Sequence, residues 1–160
     1  MIATLAFALL LAAAAISDIR HLRIPNLIPL LLVAGFMLQA AFGGVAGMTG
    51  HLLAMLIVLA LLMPLFALNA LGGGDVKLLA ATALWLGMAD LPLLLVGVAI
   101  LGGCFAALWL PLRWAVGRAL PDRTLPASLQ LKAALPYGVP IGVASLVLHL
   151  DAAAAIVGGG

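Results

Sequence analysis

The amino-acid sequence predicts an all-α, polytopic membrane protein with six transmembrane helices. Of its 160 residues, 67% are hydrophobic and only 8% are charged, whereas about a quarter of the residues in a soluble domain are charged. The mean hydropathy is +1.36, and long apolar runs recur along the whole chain. These observations predict one membrane domain over residues 1–160 and leave no room for a second large domain.

Six apolar segments account for the predicted spans. They cover residues 2–17, 27–42, 51–70, 76–89, 91–112 and 135–157. Polar or glycine-containing stretches separate them, namely SDIRHLRIPN, GGVAGMTG, LGGGD, the Asp-Leu-Pro at 90–92 and a long polar stretch before 135. The first segment lacks the basic start of a signal peptide, so we interpret it as a retained span. The fourth is the shortest, because its ~14 residues reach only ~21 Å across a hydrocarbon core of ~30 Å.

The basic residues predict the orientation of the helices. With the N-terminus outside, the loops after the first, third and fifth spans face the cytoplasm. These loops carry all seven basic residues, which are Arg20, Arg23, Lys77, Arg113, Arg118, Arg123 and Lys132. Because Lys and Arg concentrate in cytoplasmic loops, we expect an outside N-terminus and a location in the cytoplasmic (inner) membrane. The net charge of +2 is interpreted as anchoring to anionic membrane lipid, and no nucleic-acid partner is expected.

Two aspartates lie where this topology brings them to one side of the membrane. Asp18 ends the first span and Asp75 opens the fourth, and because two spans separate them, both face the cytoplasm. Carboxylates at a membrane are costly to desolvate and tend to be functional. Either one alone also has a structural explanation, with Asp18 paired to Arg20 or Arg23 and Asp75 capping the fourth helix.

Two carboxyl groups that approach closely have a chemistry that neither has alone. They cannot easily both ionise, so one keeps a proton while the other acts as a base. Such a pair activates water and protonates a leaving amine, as in aspartic proteases. No Ser/His/Asp set and no His/Cys/Glu cluster competes with the pair, so we expect neither a metal nor a cofactor. The single Cys104 is interpreted as a small buried hydrophobic residue.

Three glycines, residues 72–74, directly precede Asp75. Without side chains they let the backbone approach a neighbouring helix or an extended peptide closely. A phosphate-binding loop is disfavoured because the GxxxxGK[ST] pattern is absent. A merely flexible loop is the remaining alternative.

These residues resemble the type IV prepilin peptidase family, whose members are membrane aspartic proteases with a GxGD motif. Residues 72–75 fit GxGD, and three longer stretches resemble family blocks in family order: SDIRHLRIPN, GGGDVKLLAA and LPYGVPIGVAS at 135–145. The resemblance implies that Asp18 and Asp75 are the catalytic pair. It also implies a prepilin substrate, whose leader peptide is cut at the cytoplasmic face just before the pilin's hydrophobic helix.

The same blocks contain residues with supporting roles. Gly72 and Gly74 would leave room beside the catalytic carboxyl. Asn26 would help to start the second span rather than act on the substrate. Lys77 is interpreted as an electrostatic neighbour of the active carboxyl or a phospholipid contact, with snorkelling to the interface as the alternative. Tyr137 would either lie at the interface or hydrogen-bond a catalytic aspartate or the substrate.

The sequence departs from the longer bacterial members in one respect. Those members carry an extra N-terminal region with cysteine pairs and an N-methyltransferase activity, whereas this chain begins at its first span and has one cysteine. It therefore resembles the short branch, as found in tight-adherence (Flp) pilus systems or in archaeal preflagellin processing. Between these two, the PYGVPIG block at 136–142 favours the Flp type. Two other classes stay open, a small ion-coupled transporter and a non-catalytic subunit of pilus or secretion assembly. The oligomeric state is not predicted.

Overall fold

A computed structural model describes residues 2–42, 45–119, 125–130 and 133–158. These residues form six α-helices, which are α1 (Ile2–His21), α2 (Leu27–Ala41), α3 (Met48–Ala67), α4 (Gly73–Leu86), α5 (Leu91–Ala119) and α6 (Gly138–Gly158). A 3₁₀ turn over Ala127–Leu129 lies between α5 and α6. No strand occurs within these ranges, and the predicted all-α class is confirmed.

Helices α1, α3 and α5 are long and apolar enough to cross a membrane. Two shorter apolar helical stretches are Leu27–Ala41 in α2 and Gly138–Ala152 in α6. The helices therefore confirm a polytopic membrane protein. Because α1, α3 and α5 end where α2, α4 and α6 begin, the two candidate aspartates lie at the same end of the molecule, which we call the carboxylate end.

Helix α4 lies at the centre of the bundle. It has 14 residues, ten of which are buried, and it packs against α2, α3 and α6. A helix that is apolar all round is a buried helix. Protein rather than lipid therefore surrounds most of α4, which explains how a helix of only ~21 Å fits into the fold.

Contacts with other helices hold the last turn of α4. Trp85 Nε1 donates a hydrogen bond of 2.8 Å to the carbonyl of Leu32 on α2. His51 Nδ1 lies 2.8 Å from the carbonyl of Leu84 and satisfies one of the carbonyls that a helix leaves free at its end. The ring of His149 lies 5.6 Å from the ring of Trp85. Both histidines therefore contact the end of α4 that lies opposite the carboxylate end.

Several helices extend beyond their predicted limits. Helix α1 continues from residue 17 to His21, since no helix breaker occurs before Pro25. Helix α4 begins at Gly73 rather than at 76, and α5 continues from 112 to Ala119. Both candidate aspartates therefore lie in helical turns rather than in loops. The prediction that Cys104 is buried is wrong, because this residue of α5 is exposed.

Candidate active site

Asp18 lies in the last turn of α1 and is only 5% exposed. Its Oδ2 atom accepts a hydrogen bond of 2.7 Å from the backbone N–H of Gly138, the first residue of α6. A Cβ atom at Gly138 would lie 3.0 Å from that oxygen and 3.1 Å from the Cβ of Asp18. Glycine is needed there because a larger residue would displace the carboxylate. The partner of Asp18 is thus a backbone amide. The ion pair with Arg20 or Arg23 that the sequence offered as an alternative is not the contact that the carboxylate makes.

The chain turns sharply after α1. Leu22 has a φ of +51°, and its N–H donates to the carbonyl of Asp18 at 2.8 Å. The hydroxyl of Ser17 donates to the carbonyl of Arg23 at 2.7 Å. A positive φ is uncommon for a residue other than glycine, so these contacts must hold it in place. They fold the α1–α2 connection back onto the turn that carries Asp18.

Asp75 is the third residue of α4, and Gly72 immediately precedes the helix. The Asp75 carboxylate lies beside Gly72, since its Oδ2 would be 2.7 Å from a Cβ atom there. A negative charge in the first turn also favours the start of α4 through the helix dipole. Its Oδ1 atom is buried and has no hydrogen-bond partner in the described part of the chain. This oxygen makes no competing hydrogen bond and is free to carry a proton.

The two glycines that open α4 lie very close to other parts of the chain. A Cβ atom at Gly73 would lie 2.9 Å from the ring of Phe66 on α3. A Cβ atom at Gly74 would lie 3.1 Å from the Cβ of Ile24 and 3.5 Å from its backbone nitrogen and oxygen. The glycines thus allow the close approach that the sequence suggests, and the neighbouring segments are α3 and the α1–α2 connection.

Both aspartates line one cavity of about 1060 Å³ at the carboxylate end. Its walls are the end of α1, the α1–α2 connection, the start of α4 and the 3₁₀ turn. The lining residues are Ser17, Asp18, Arg20, His21, Leu22, Arg23, Ile24, Pro25, Asn26, Gly72, Gly73, Gly74, Asp75 and Ala127. Arg20, His21 and Arg23 are exposed and give the cavity a basic rim. A cavity of this size accommodates a peptide segment.

The surroundings of Asp75 favour its protonated form. Burial raises the pKa of Asp75 to about 7, the negative charge of Asp18 adds to the rise, and the hydrogen bond from Gly72 opposes it. Asp75 lies in the first turn of α4. This helix is not among the three that are long and apolar enough to cross a membrane. The charge of Asp18 therefore reaches the Asp75 carboxyl group across the cavity that both residues line.

Asn26 and Lys77 contact each other. The Lys77 ammonium donates a hydrogen bond of 3.0 Å to Asn26 Oδ1. Asn26 immediately precedes α2, as predicted, although its side chain does not cap that helix. Lys77 is exposed and lines a different groove, between α2, α3 and α4. The structure therefore places Asn26 at the cavity and Lys77 outside it.

Tyr137 lies beside the residue that contacts Asp18, but its ring points elsewhere. A Cβ atom at Gly102 of α5 would lie 3.1 Å from Cε1 of Tyr137, so the ring packs against α5. The hydrogen bond that the sequence suggests for Tyr137 is made one residue later, by the amide of Gly138.

Two residues that hold Asp18 were missed in the sequence. Gly138 could have been found, because a glycine at the start of a helix often marks a close backbone contact. Ser128 donates a hydrogen bond of 2.6 Å to the carbonyl of Ile19, a residue 109 positions away. No local pattern around Ser128 signals this contact. Among the described residues, no group of three or more His, Cys, Asp or Glu could hold a metal ion.

Comparison with protein-family models matches residues 5–107 to the type IV leader peptidase family. The matched region is more than half of the 160-residue chain and contains both aspartates. The Pro-Tyr-Gly block lies beyond it. No curated protein and no solved structure matches the chain.

Proposed function

Because the chain belongs to the type IV leader peptidase family, we propose that it cleaves prepilin leader peptides with Asp18 and Asp75 as its catalytic pair. Family membership supports a peptidase that acts on prepilin-type substrates. The assignment of the pair rests on one observation: two aspartates from different helices line the same cavity. The electrostatic effect of one carboxyl on the other is consistent with this assignment.

The proposed reaction needs one ionised and one protonated carboxyl. The ionised carboxyl takes a proton from water, and the water oxygen bonds to the scissile carbonyl carbon while the protonated carboxyl donates to the carbonyl oxygen. The resulting diol then collapses. Its C–N bond breaks, the proton taken from water moves to the amine nitrogen, and a hydroxyl proton returns to the second carboxyl. One water molecule is consumed, and one carboxyl group and one amine are formed.

The surroundings of the two carboxyls suggest which role each takes. Asp75, with a pKa of about 7 and an unpartnered Oδ1, is suited to hold the proton. Asp18, whose Oδ2 accepts the amide of Gly138, is suited to act as the base. This arrangement lets the pair work at neutral pH.

The proposed substrate lies across the boundary of the membrane. Its apolar helix would lie in the bilayer, with its polar leader in the cavity at the carboxylate end. The basic residues predict that this end faces the cytoplasm, so cleavage would occur at the cytoplasmic face of the inner membrane. Within this class we propose a substrate of the tight-adherence (Flp) type, on the resemblance carried by the PYGVPIG block at 136–142.

Lys77 has a separate proposed role at the lipid boundary. Its ammonium is exposed at one end of a groove lined mainly by apolar residues of α2, α3 and α4. A lysine in this position suits the phosphate of an anionic phospholipid. We therefore propose a lipid contact for Lys77, while its bond to Asn26 ties α4 to the α1–α2 connection.

Replacement of either aspartate by asparagine tests the proposed function. Asp18→Asn and Asp75→Asn keep the side-chain size but remove the acid–base group, so we expect each to reduce cleavage by a factor of about 10⁴ or more. The protein would be co-expressed with a candidate Flp-type prepilin. Loss of the leader would be measured by gel shift, and the mature N-terminus by mass spectrometry.

Asp90→Asn is the matched control, since Asp90 lies just before α5 at the opposite end of the bundle. It should insert into the membrane and process the prepilin normally. Normal processing by both Asp18→Asn and Asp75→Asn would contradict the catalytic pair. Altered assembly of a pilus without any cleavage defect would favour the non-catalytic subunit, and proton- or ion-driven uptake by the purified protein would favour the transporter.

A further inference from the structure

The 3₁₀ turn between α5 and α6 buries a hydroxyl group against the end of α1. Ser128, in the middle of this turn, is 0% exposed. Its neighbour Ala127 lines the cavity that holds the two carboxyls. The turn is therefore part of the wall of the site, although neither residue belongs to a motif of the sequence.

The Ser128 hydroxyl contacts the backbone of the helical turn that carries Asp18. It donates a hydrogen bond of 2.6 Å to the carbonyl of Ile19, which directly follows Asp18. That carbonyl is one of the last four in α1, which have no partner within the helix. Ser128 thus satisfies a backbone group adjacent to the proposed catalytic residue.

A second contact holds Ser128 by its backbone carbonyl. Trp109 Nε1, on α5, donates to the carbonyl of Ser128 at 3.2 Å. The Trp109 ring stacks on Phe105 with 5.0 Å between ring centroids, so the indole is itself fixed on α5. A chain of contacts therefore leads from α5 through Ser128 to the last turn of α1.

We propose that Ser128 is a positioning residue for Asp18. It holds the last turn of α1 while the amide of Gly138 holds the carboxylate itself. The 3₁₀ turn and the first residue of α6 therefore both support Asp18, one through the backbone of α1 and the other through the carboxylate. A catalytic group must be held within about 0.5 Å of its productive position, so loss of the Ser128 contact would reduce the catalytic rate rather than substrate binding. This inference rests on the proposed function.

Ser128→Ala tests the inference by removal of the hydroxyl alone. The full-length protein would be purified in detergent with membrane lipid and assayed on a purified prepilin. We expect kcat to fall about 10- to 100-fold with little change in KM, as a displacement of about 1 Å produces. Ser128→Thr keeps the hydroxyl and should recover most of the rate. An unchanged kcat for Ser128→Ala would overturn the proposal, as would an equal loss for Ser128→Thr.

Ser145→Ala is the matched control. Ser145 is also a fully buried serine, but its hydroxyl has no hydrogen-bond partner in the described ranges. Its replacement should leave kcat unchanged. If Ser145→Ala lowers kcat as much as Ser128→Ala does, the effect is general to buried serines and the proposal fails. A wild-type protein that cleaves no prepilin would instead refute the proposed function.

If Ser128→Ala does not fold, Trp109→Phe tests whether Ser128 positions Asp18. This variant keeps an aromatic ring beside Phe105 but removes the N–H that holds the Ser128 carbonyl. We expect a fall in kcat in the same direction, at unchanged KM and with a smaller factor. A folded Trp109→Phe protein with wild-type kcat would then overturn the proposal.

Discussion

The hydrogen bond between Gly138 and Asp18 shows how a single missing side chain determines the geometry of the site. The amide of Gly138 donates to Oδ2 at 2.7 Å, and this distance is possible because nothing projects from the Gly138 Cα. Arg20 and Arg23 were the obvious sequence candidates for a partner of Asp18. They lie on the exposed rim instead, since side chains of this length reach water readily.

Gly138→Ala should therefore impair the site without disruption of the fold. The new methyl group would lie 3.0 Å from Asp18 Oδ2, closer than ordinary contact, so the carboxylate must move. We expect cleavage of a prepilin to fall about tenfold or more, measured with purified protein at saturating substrate. Gly103→Ala on α5 is the control, because its Cβ would meet nothing within 4 Å. Equal activity in the two variants would contradict the conclusion that residue 138 must be glycine to leave room for the Asp18 carboxylate.

At the scale of the element, close packing fixes the first turn of α4 and hydrogen bonds fix its last turn. Its first turn is packed through glycines against α3 and the α1–α2 connection, and its last turn is held by Trp85 and His51. The sequence predicted an apolar helix here and its approximate length. It could not show that the glycines belong to the helix, because three consecutive glycines have low helix propensity. Tertiary packing of Gly73 and Gly74 and the negative charge of Asp75 in the first turn favour the helical start.

Gly74→Ala tests the close approach of α4 to the α1–α2 connection. A methyl group at residue 74 would meet the Cβ of Ile24 at 3.1 Å and its backbone at 3.5 Å. Since backbone cannot rotate away, the two segments must separate. We expect a loss of stability of about 1–3 kcal/mol and a fall in cleavage, measured by thermal unfolding and prepilin processing.

Gly50→Ala on α3 is the matched control for this prediction. Its Cβ would meet nothing within 4 Å, so neither stability nor cleavage should fall. If Gly74→Ala unfolds at the same temperature as Gly50→Ala and remains equally active, the close packing of α4 is not required for the site.

At the scale of the whole molecule, hydropathy and charge were sufficient to predict the membrane class, the six helices and the convergence of Asp18 and Asp75. Two spans between the aspartates already required them to share one end. The contacts across the bundle were not predictable, because Ser128, Gly138 and the ring of Tyr137 act on residues distant in the sequence. Periodicity and motifs report local structure, whereas these contacts depend on how α1, α5 and α6 pack.

The protonation of Asp75 makes the stability of the whole protein depend on pH. Burial raises the pKa of Asp75 from 3.8 to about 7 in the folded protein. Between these values the folded state binds a proton that the unfolded state has released, so stability from this group falls as pH rises through 7. The slope for one proton is at most about 1.4 kcal/mol per pH unit. Thermal unfolding in detergent at pH 5 and pH 8 should show this loss.

Asp75→Asn should reduce this pH dependence, because asparagine carries no titrating proton. Asp90→Asn, with its substitution at the opposite end of the bundle, should keep the wild-type difference between pH 5 and pH 8. An undiminished pH dependence in Asp75→Asn would show that another group causes it.

The hydrogen bond from α6 to Asp18 also affects when the site forms during biosynthesis. The Gly138 amide and the Asp18 carboxylate are 120 residues apart, so a chain emerging from the ribosome presents α1 to the membrane long before its partner exists. Asp75 is synthesised between the two, 63 residues before Gly138. Asp18 and Asp75 can therefore both be in the membrane before the Gly138 amide is available to bind Asp18. Under the proposed function, the newly made protein becomes fully active only after α6 has inserted and the Gly138 amide has reached Asp18.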